Sequence, residues 1–391
     1  MFGLYVHIPF CIRRCIYCDF ITYANRQNFI PEYVKALTAE LSFMGVEGRA
    51  QLGEATTVYF GGGTPSLLKP EQIHSVLEVA DQTFGLATDA EITLEANPGT
   101  LDAAYLAAIH SAGVNRLSLG AQSFNSAELN LLRRMHRAEE IDRSMAEARL
   151  AGFDNISLDL IFGLPWQTLK GWEANLSKAI SLQPEHISLY ALTIETGTPL
   201  ERMIAKGILP QPDEDLSADM FEFAMESLAQ AGYEHYEISN WAVSARFESR
   251  HNKTYWWNSP YIGIGAGAHG CLGGYRLANV ATIPAYLQAM NDPRPASEFP
   301  FSSATAERLP LDLKTIQQET VMLGLRLTRE GVSSPAFRNR FGVELEQTFA
   351  SELKRISDKG LGEWADFPDG KHYRLTNRGI MIGNQAFMEF V

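Results

Sequence analysis

Cys11, Cys15 and Cys18 form a Cys-x3-Cys-x2-Cys group within one short stretch, whereas the fourth cysteine, Cys271, stands alone. Three thiolates from a single loop can wrap one metal centre without closing a tetrahedral site, so one position stays open. A 4Fe-4S cluster suits that donor set: three irons take the thiolates and the fourth is left to an exchangeable ligand. Zinc is the rival, with His7 or Cys271 to complete it; Asp19, next in line, is a poor soft ligand. Downstream, Gly61-Gly62-Gly63-Thr64-Pro65 offers backbone groups that a ligand can approach without Cβ interference, and a hydroxyl besides. Glu95 opens Glu95-Ala96-Asn97-Pro98, and Gln122, Arg134 and Asp159 add amide, guanidinium and carboxylate groups of the kind that hold a zwitterion carrying a sugar. Taken singly, Asp159 reads equally as a buried strand acid paired with an arginine, and Arg134, beside Arg133, as a solvated charge. The last distinctive stretch is His251-Asn252-Lys253-Thr254-Tyr255-Trp256-Trp257. By itself it reads as core packing.

Most of these groups sit on or just after β-rich runs: Leu4 to Ile8, Thr56 to Phe60, Glu91 to Glu95, Arg116 to Leu119, Ile156 to Ile161 and His186 to Leu192. Between the runs, Pro31 to Val46, Pro70 to Phe84, Asp102 to Ala112, Ile141 to Ala151 and Thr168 to Leu182 carry apolar residues at three- and four-residue spacing. Gly113 and Gly152 stand where helix-terminating glycines belong. The alternation predicts βαβ units, and a barrel of parallel strands would gather the strand ends on one mouth. A doubly wound sheet is the main rival, but no GxGxxG opens a helix after the first strand. The expected fold is therefore α/β, a partial (β/α)6 barrel over residues 1–232. A connecting region, 233–298, holds the aromatic stretch and the glycine-rich Gly263 to Gly274, and Asp292 to Ser303 reads as a linker. Residues 299–391 predict a winged-helix-like α+β domain, with helical patterns around Lys314 to Leu327, Ser334 to Phe341 and Glu346 to Lys359 and a two-stranded wing at Glu363 to Leu375. Met220, Phe221, Phe223 and Met225, at helical spacing, are expected in the core.

The cysteine motif, with aromatic Tyr17 before its last Cys, resembles the signature of the radical S-adenosylmethionine (SAM) proteins. The whole chain is similar to their anaerobic coproporphyrinogen III oxidase-like branch, and most of all to the heme chaperones within it. The matching segments are Tyr5-Val6-His7-Ile8-Pro9-Phe10-Cys11, Gly120-Ala121-Gln122-Ser123-Phe124, Asp159-Leu160-Ile161-Phe162-Gly163-Leu164-Pro165 and Leu375-Thr376-Asn377-Arg378-Gly379. The resemblance implies a 4Fe-4S cluster on Cys11, Cys15 and Cys18, with SAM on the unique iron. It places Gly62, Gly63 and Thr64 along the methionine part, with Glu95, Tyr5, Tyr17, Gln122, Arg134, Asp159 and Ala191 as further contacts. His251-Asn252-x-x-Tyr255-Trp256 matches the stretch associated with heme, which implies His251 as an axial ligand beneath Tyr255 and Trp256. The implied function is to bind heme and pass it to an unidentified acceptor protein.

The competing function is the oxidase itself, which would decarboxylate coproporphyrinogen III by radical chemistry. Two departures oppose it: Cys18 is followed by Asp19-Phe20 where the oxidase continues Cys-Gly-Cys, and no long arm precedes Cys11. A radical methyltransferase acting on a tetrapyrrole would share the barrel. Composition narrows the field further. At 46% hydrophobic and 20% charged residues the chain is neither disordered nor fibrous. A formal charge of −13 offers no attraction to phosphate backbones, which argues against nucleic acid. No apolar run is long enough for a transmembrane segment, the N-terminus lacks a signal peptide's basic region, and cysteines laid out for metal fit the cytoplasm.

Overall fold

The computed structural model describes residues 2–291 and 299–391. Residues 292–298, most of the expected linker, lie outside the described residues. The chain divides into two units, one of Met1–Met220 with Pro260–Pro310 and one of Phe221–Ser259 with Leu311–Val391.

Strict two-residue alternation builds the first unit. Strands β1 (Phe2–Ile8), β2 (Ala55–Gly62), β3 (Leu86–Ala96), β4 (Arg116–Gln122), β5 (Ile156–Phe162) and β6 (His186–Ala191) pair in sequence order, all parallel. These are the six expected strands, β3 being longer than its expected core. Because side chains alternate across a strand, the register collects apolar residues on one face: Leu4 beside Val58, Leu94 beside Leu117, and Leu158 beside Ile187, all 0% exposed. The opposite face collects Tyr5 beside Tyr59, Glu95 beside Ser118, and Asp159 beside Ser188. A partial barrel with an apolar outside and a polar inside follows from that pattern.

Helices α1 (Ile30–Leu52), α2 (Pro70–Phe84), α3 (Ala103–Ser111), α4 (Ser126–Leu131), α5 (Ala138–Leu150) and α6 (Leu169–Ser181) fill the crossovers. In α1, Ile30, Tyr33, Val34, Leu37, Leu41 and Met44 recur at helical spacing and are buried. Asp102 caps α3 by accepting from Tyr105 N at 2.8 Å, and Thr168 caps α6 from Gly171 N at 3.1 Å, each worth about 1 kcal/mol. Gly113 (φ 108°) and Gly152 (φ 100°) end α3 and α5 as expected.

The expected connecting region does not behave as one segment. Its later part extends the sheet: Tyr261–Ile264 lies parallel to β1, and His269–Leu272 and Tyr275–Asn279 follow antiparallel, joined by Thr305–Pro310 from the start of the expected C-terminal domain, which therefore begins only at Leu311. A buried carboxylate holds this extension. Glu40 of α1 accepts from Asn279 Nδ2 (2.8 Å) and Ser302 Oγ (2.7 Å) on one oxygen. Its other oxygen accepts from Gly265 N (2.9 Å) and Tyr286 OH (2.7 Å). A buried charge is tolerable only when its lone pairs are used in this way.

The earlier part, residues 233–259, belongs to the second unit. There Glu234–Glu237 and Asn240–Ala242 form an antiparallel hairpin, followed by the helix Arg250–Trp256. Helices Leu313–Gly324, Ser334–Phe341 and Ala350–Asp358 pack with the three-stranded sheet of Val332–Ser333, Gly370–Leu375 and Gly362–Phe367. The core of this winged-helix-like unit includes Val321, Leu325, Phe337, Ile356 and Tyr373, with Phe221 and Met225 packed against it. Among the described residues no helix is long and apolar enough to cross a membrane.

Candidate functional site

The cysteine loop follows β1 and is tied down at many points. Phe10–Cys11 pairs in parallel with Tyr23–Ala24, Leu200 N donates to Ile16 O (2.9 Å) and Gln27 Nε2 to Cys11 O (3.0 Å). His7 is committed to the loop as well: its Nε2 donates to Ile21 O (2.9 Å) while Nδ1 accepts from Tyr5 OH (3.0 Å). Both nitrogens are engaged, which removes His7 as a fourth zinc ligand. Cys271 stands on the strand His269–Leu272, whose register pairs it with Tyr261 and Arg276. Among the described residues no three His, Cys, Asp or Glu side chains gather about one point as ligands of a single ion. Three thiols carried by one tied-down loop are the donor set that a 4Fe-4S cluster takes.

Each cysteine has a polar neighbour. Thr64 Oγ1 lies 3.6 Å from Cys11 Sγ, Arg134 Nη1 3.6 Å from Cys15 Sγ and Thr22 Oγ1 3.9 Å from Cys18 Sγ. Burial pushes the Cys11 thiol up to about 11 and raises Cys18, so a cluster would have to displace protons to bind. Tyr17 is raised by burial and hydrogen-bonded to Cys15, and it packs against the cluster of Leu132, Ile161 and Leu164. Arg133 is exposed, but Arg134 turns inward: its Nη2 donates to Gly120 O (2.7 Å), and its Nε is buried without a hydrogen-bond partner. The solvated alternative for Arg134 is therefore wrong. A buried, underused guanidinium beside the thiols suits an anionic group.

The glycine turn closes over the same loop. A Cβ on Gly63 would stand 2.7 Å from Phe10 O and 2.8 Å from Ile8 O, and Gly62 has φ 110° with His7 where its Cβ would go. Only glycine fits either position. Gly62 N donates to Glu95 Oε2 (3.1 Å) and Tyr59 OH to Glu95 Oε1 (2.8 Å). Burial pushes Glu95 up to about 7 against these donors, with Asp159 raising it further. Tyr5 stacks on Tyr59, ring centroids 6.2 Å apart. The structure thus gathers Cys11, Cys15, Cys18, Thr64, Tyr17 and Arg134 into one group, and Tyr5, Gly62 and Glu95 into a second joined to it through His7 and the glycine turn.

Other expected residues stand apart. Asp159 faces the barrel interior and accepts from Ser118 Oγ (2.8 Å) and Ser157 Oγ (3.0 Å); burial raises its pKa. Gln122 ends β4 with φ 65°, and Ala191 is exposed at the end of β6. His251, Tyr255 and Trp256 lie in the second unit. His251 is 1% exposed, and its Nε2 lies 2.8 Å from Tyr255 OH.

Sequence reasoning missed Tyr59 and His136. His136 Nε2 donates to Ala121 O (3.0 Å) and Nδ1 lies 3.0 Å from the Asn97 side chain, so it joins the ends of β3 and β4. Burial lowers it to about 4, which keeps the ring neutral. The strict polar alternation along the strands was the available signal for Tyr59; nothing local marks His136.

Comparison with known proteins follows the same division. The model of the radical SAM superfamily matches residues 5–179, and that of the HemN C-terminal domain matches 311–382. The chain is 37% identical to the heme chaperone HemW of Bacillus subtilis (strain 168), over 100% of this chain and 99% of that protein. It is 40% identical to the mouse (Mus musculus) protein named radical S-adenosyl methionine domain-containing protein 1, mitochondrial, over 92% of this chain and 83% of that one. The solved structure of Escherichia coli coproporphyrinogen III oxidase (HemN) matches 100% of this chain and 89% of its own, with a TM-score of 0.80 at 24% identity. That last likeness is one of fold.

Proposed function

The chain belongs to the radical SAM superfamily and, within it, to the HemW family, and from that membership we propose that it binds heme and hands it to an acceptor protein in the cytoplasm. The observation that carries this reading is full-length identity to proteins named heme chaperones. The presence of His251-Asn252-x-x-Tyr255-Trp256 supports it.

The superfamily implies a 4Fe-4S cluster and SAM, and together these supply one-electron reducing chemistry. In this chain Cys11, Cys15 and Cys18 would hold three irons. The free Nε–H of Arg134 suits the SAM carboxylate, and Glu95, ionised, suits the ammonium. Gly62, Gly63 and Thr64 would offer backbone groups and a hydroxyl to the methionine part. Gln122 and Asp159 offer acceptors for sugar hydroxyls, and Tyr5, Tyr17 and Ala191 border the same mouth. For heme, His251 would be the ligand, and its Nε2 is at present engaged with Tyr255 OH. Tyr255 and Trp256 supply the flanking aromatic surface.

The test is to assay anaerobically reconstituted protein in parallel for heme binding and for coproporphyrinogen III decarboxylation. The expected result is heme binding without protoporphyrinogen formation. His251→Ala should weaken heme binding and shift the Soret band while leaving iron and sulfide content unchanged. Formation of protoporphyrinogen IX, with heme binding indifferent to His251→Ala, would replace this reading with the oxidase.

A further inference from the structure

The helix Arg250–Trp256 brings a second group to its aromatic end. Arg326, just beyond the helix Leu313–Gly324, lays its guanidinium over the Trp256 indole, Cζ 4.4 Å from the ring, with the Phe387 ring 5.5 Å away. Arg326 Nε and Trp256 Nε1 are both buried and both lack a hydrogen-bond partner. A buried donor left unpaired costs about 1–3 kcal/mol, and more when charged. Two such donors in one stack mark a place for an acceptor.

The acid beside Arg326 does not fill that place. Glu237 is fully buried, and its oxygens are already used by the Asn240 side-chain amide and by Ser239 N at 3.2 Å. Burial pushes Glu237 up to about 7, so near neutrality it carries only part of a charge. The guanidinium remains incompletely compensated. The guanidinium and the neighbouring indole N–H are donors only, the kind of group that a carboxylate pairs with.

We propose that Arg326 and the indole N–H of Trp256 form a carboxylate seat, and that its occupant is a propionate of the heme held by the same helix. This rests on the heme reading above. A free small carboxylate offers the same chemistry, and the experiment separates the two sources.

The full-length protein is titrated with hemin and with hemin dimethyl ester, whose propionates are blocked. The parent should bind hemin about tenfold more tightly than the diester, as one charge-assisted hydrogen bond allows. Arg326→Gln should erase that preference by weakening hemin alone, with the Soret position unchanged because the axial ligand is untouched. Trp256→Phe, which keeps an aromatic ring and removes the N–H, should reduce the preference in part. Equal binding of hemin and diester by the parent overturns the seat and leaves the heme reading standing. Failure to bind either porphyrin overturns both. Retention of the preference in Arg326→Gln also overturns the assignment, and so does its loss at succinate concentrations no higher than that of hemin, the second in favour of free carboxylates.

Discussion

The two motifs that stand out in the sequence meet opposite surroundings. Around the cysteine loop, polar groups hold one another at a strand-end mouth while leaving donor capacity unused: Arg134 Nε is unpaired, and Gly62 and Gly63 let the turn press directly onto His7, Ile8 and Phe10. Around the helix Arg250–Trp256 the chemistry is folded inward, with His251 buried and facing Tyr255. On the reading proposed above, the first region would meet its ligand with groups already in place, whereas His251 would have to exchange an internal contact for an external one, at a conformational cost.

The largest expected effect breaks the contrast at its foundation. Ala in place of Cys11, Cys15 or Cys18 should abolish the broad visible absorption of the reconstituted cluster and most bound iron, while heme binding survives. Retention of a full cluster in the triple variant would show that the mouth is not prepared for it. Next in size, Gly63→Ala forces a Cβ against two carbonyl oxygens and should destabilise the fold by about 1–3 kcal/mol. Thermal unfolding reads that cost, and an unchanged midpoint would mean that the turn is softer than its geometry.

Glu95→Gln should weaken SAM by roughly ten- to hundredfold, the worth of one charge-assisted hydrogen bond of about 1.5–3 kcal/mol. Calorimetry on cluster-loaded protein measures it. The same carboxyl predicts a pH dependence. With its native pKa raised from 4.5 to about 7, the folded chain holds that proton more tightly than the unfolded one. Glu95's contribution to stability is thus intact below about pH 4.5 and lost as pH rises toward 7. SAM binding runs the other way, because its ammonium needs the ionised form: affinity should fall as pH drops below 7, and Glu95→Gln should flatten that profile. The smallest effect sharpens the contrast from the other side. Tyr255→Phe removes one internal bond to His251 and should tighten hemin about two- to tenfold. Weaker binding would mean that the hydroxyl serves the ligand instead.

How far the sequence carried these conclusions depended on distance along the chain. The six strands, the helix-ending Gly113 and Gly152 and the cysteine loop are written in local patterns, and they fold where those patterns place them. Arg133 and Arg134 are indistinguishable as letters, yet one is exposed and the other reaches Cys15. Their fates are decided by the turn after α4, where Arg133 takes φ 57°. The partnership of Arg326 with Trp256 and that of Glu40 with Ser302 join residues far apart in sequence, which no local spacing announces. The division at Ser259 and Pro260 was missed for the same reason: the strand that follows is claimed by β1 through pairing, a non-local choice.

That pairing bears on how the protein is made. β1 lies between β2 and Tyr261–Ile264, so the ribosome must add roughly 250 residues after β1 before its second neighbour exists. At about 5–20 residues per second this leaves an apolar strand with one open hydrogen-bonding edge for roughly ten to fifty seconds. Open edges of this kind recruit other chains. The nascent polypeptide therefore depends on whatever shields that edge during synthesis, and slowing translation between residues 62 and 261 should raise its aggregation.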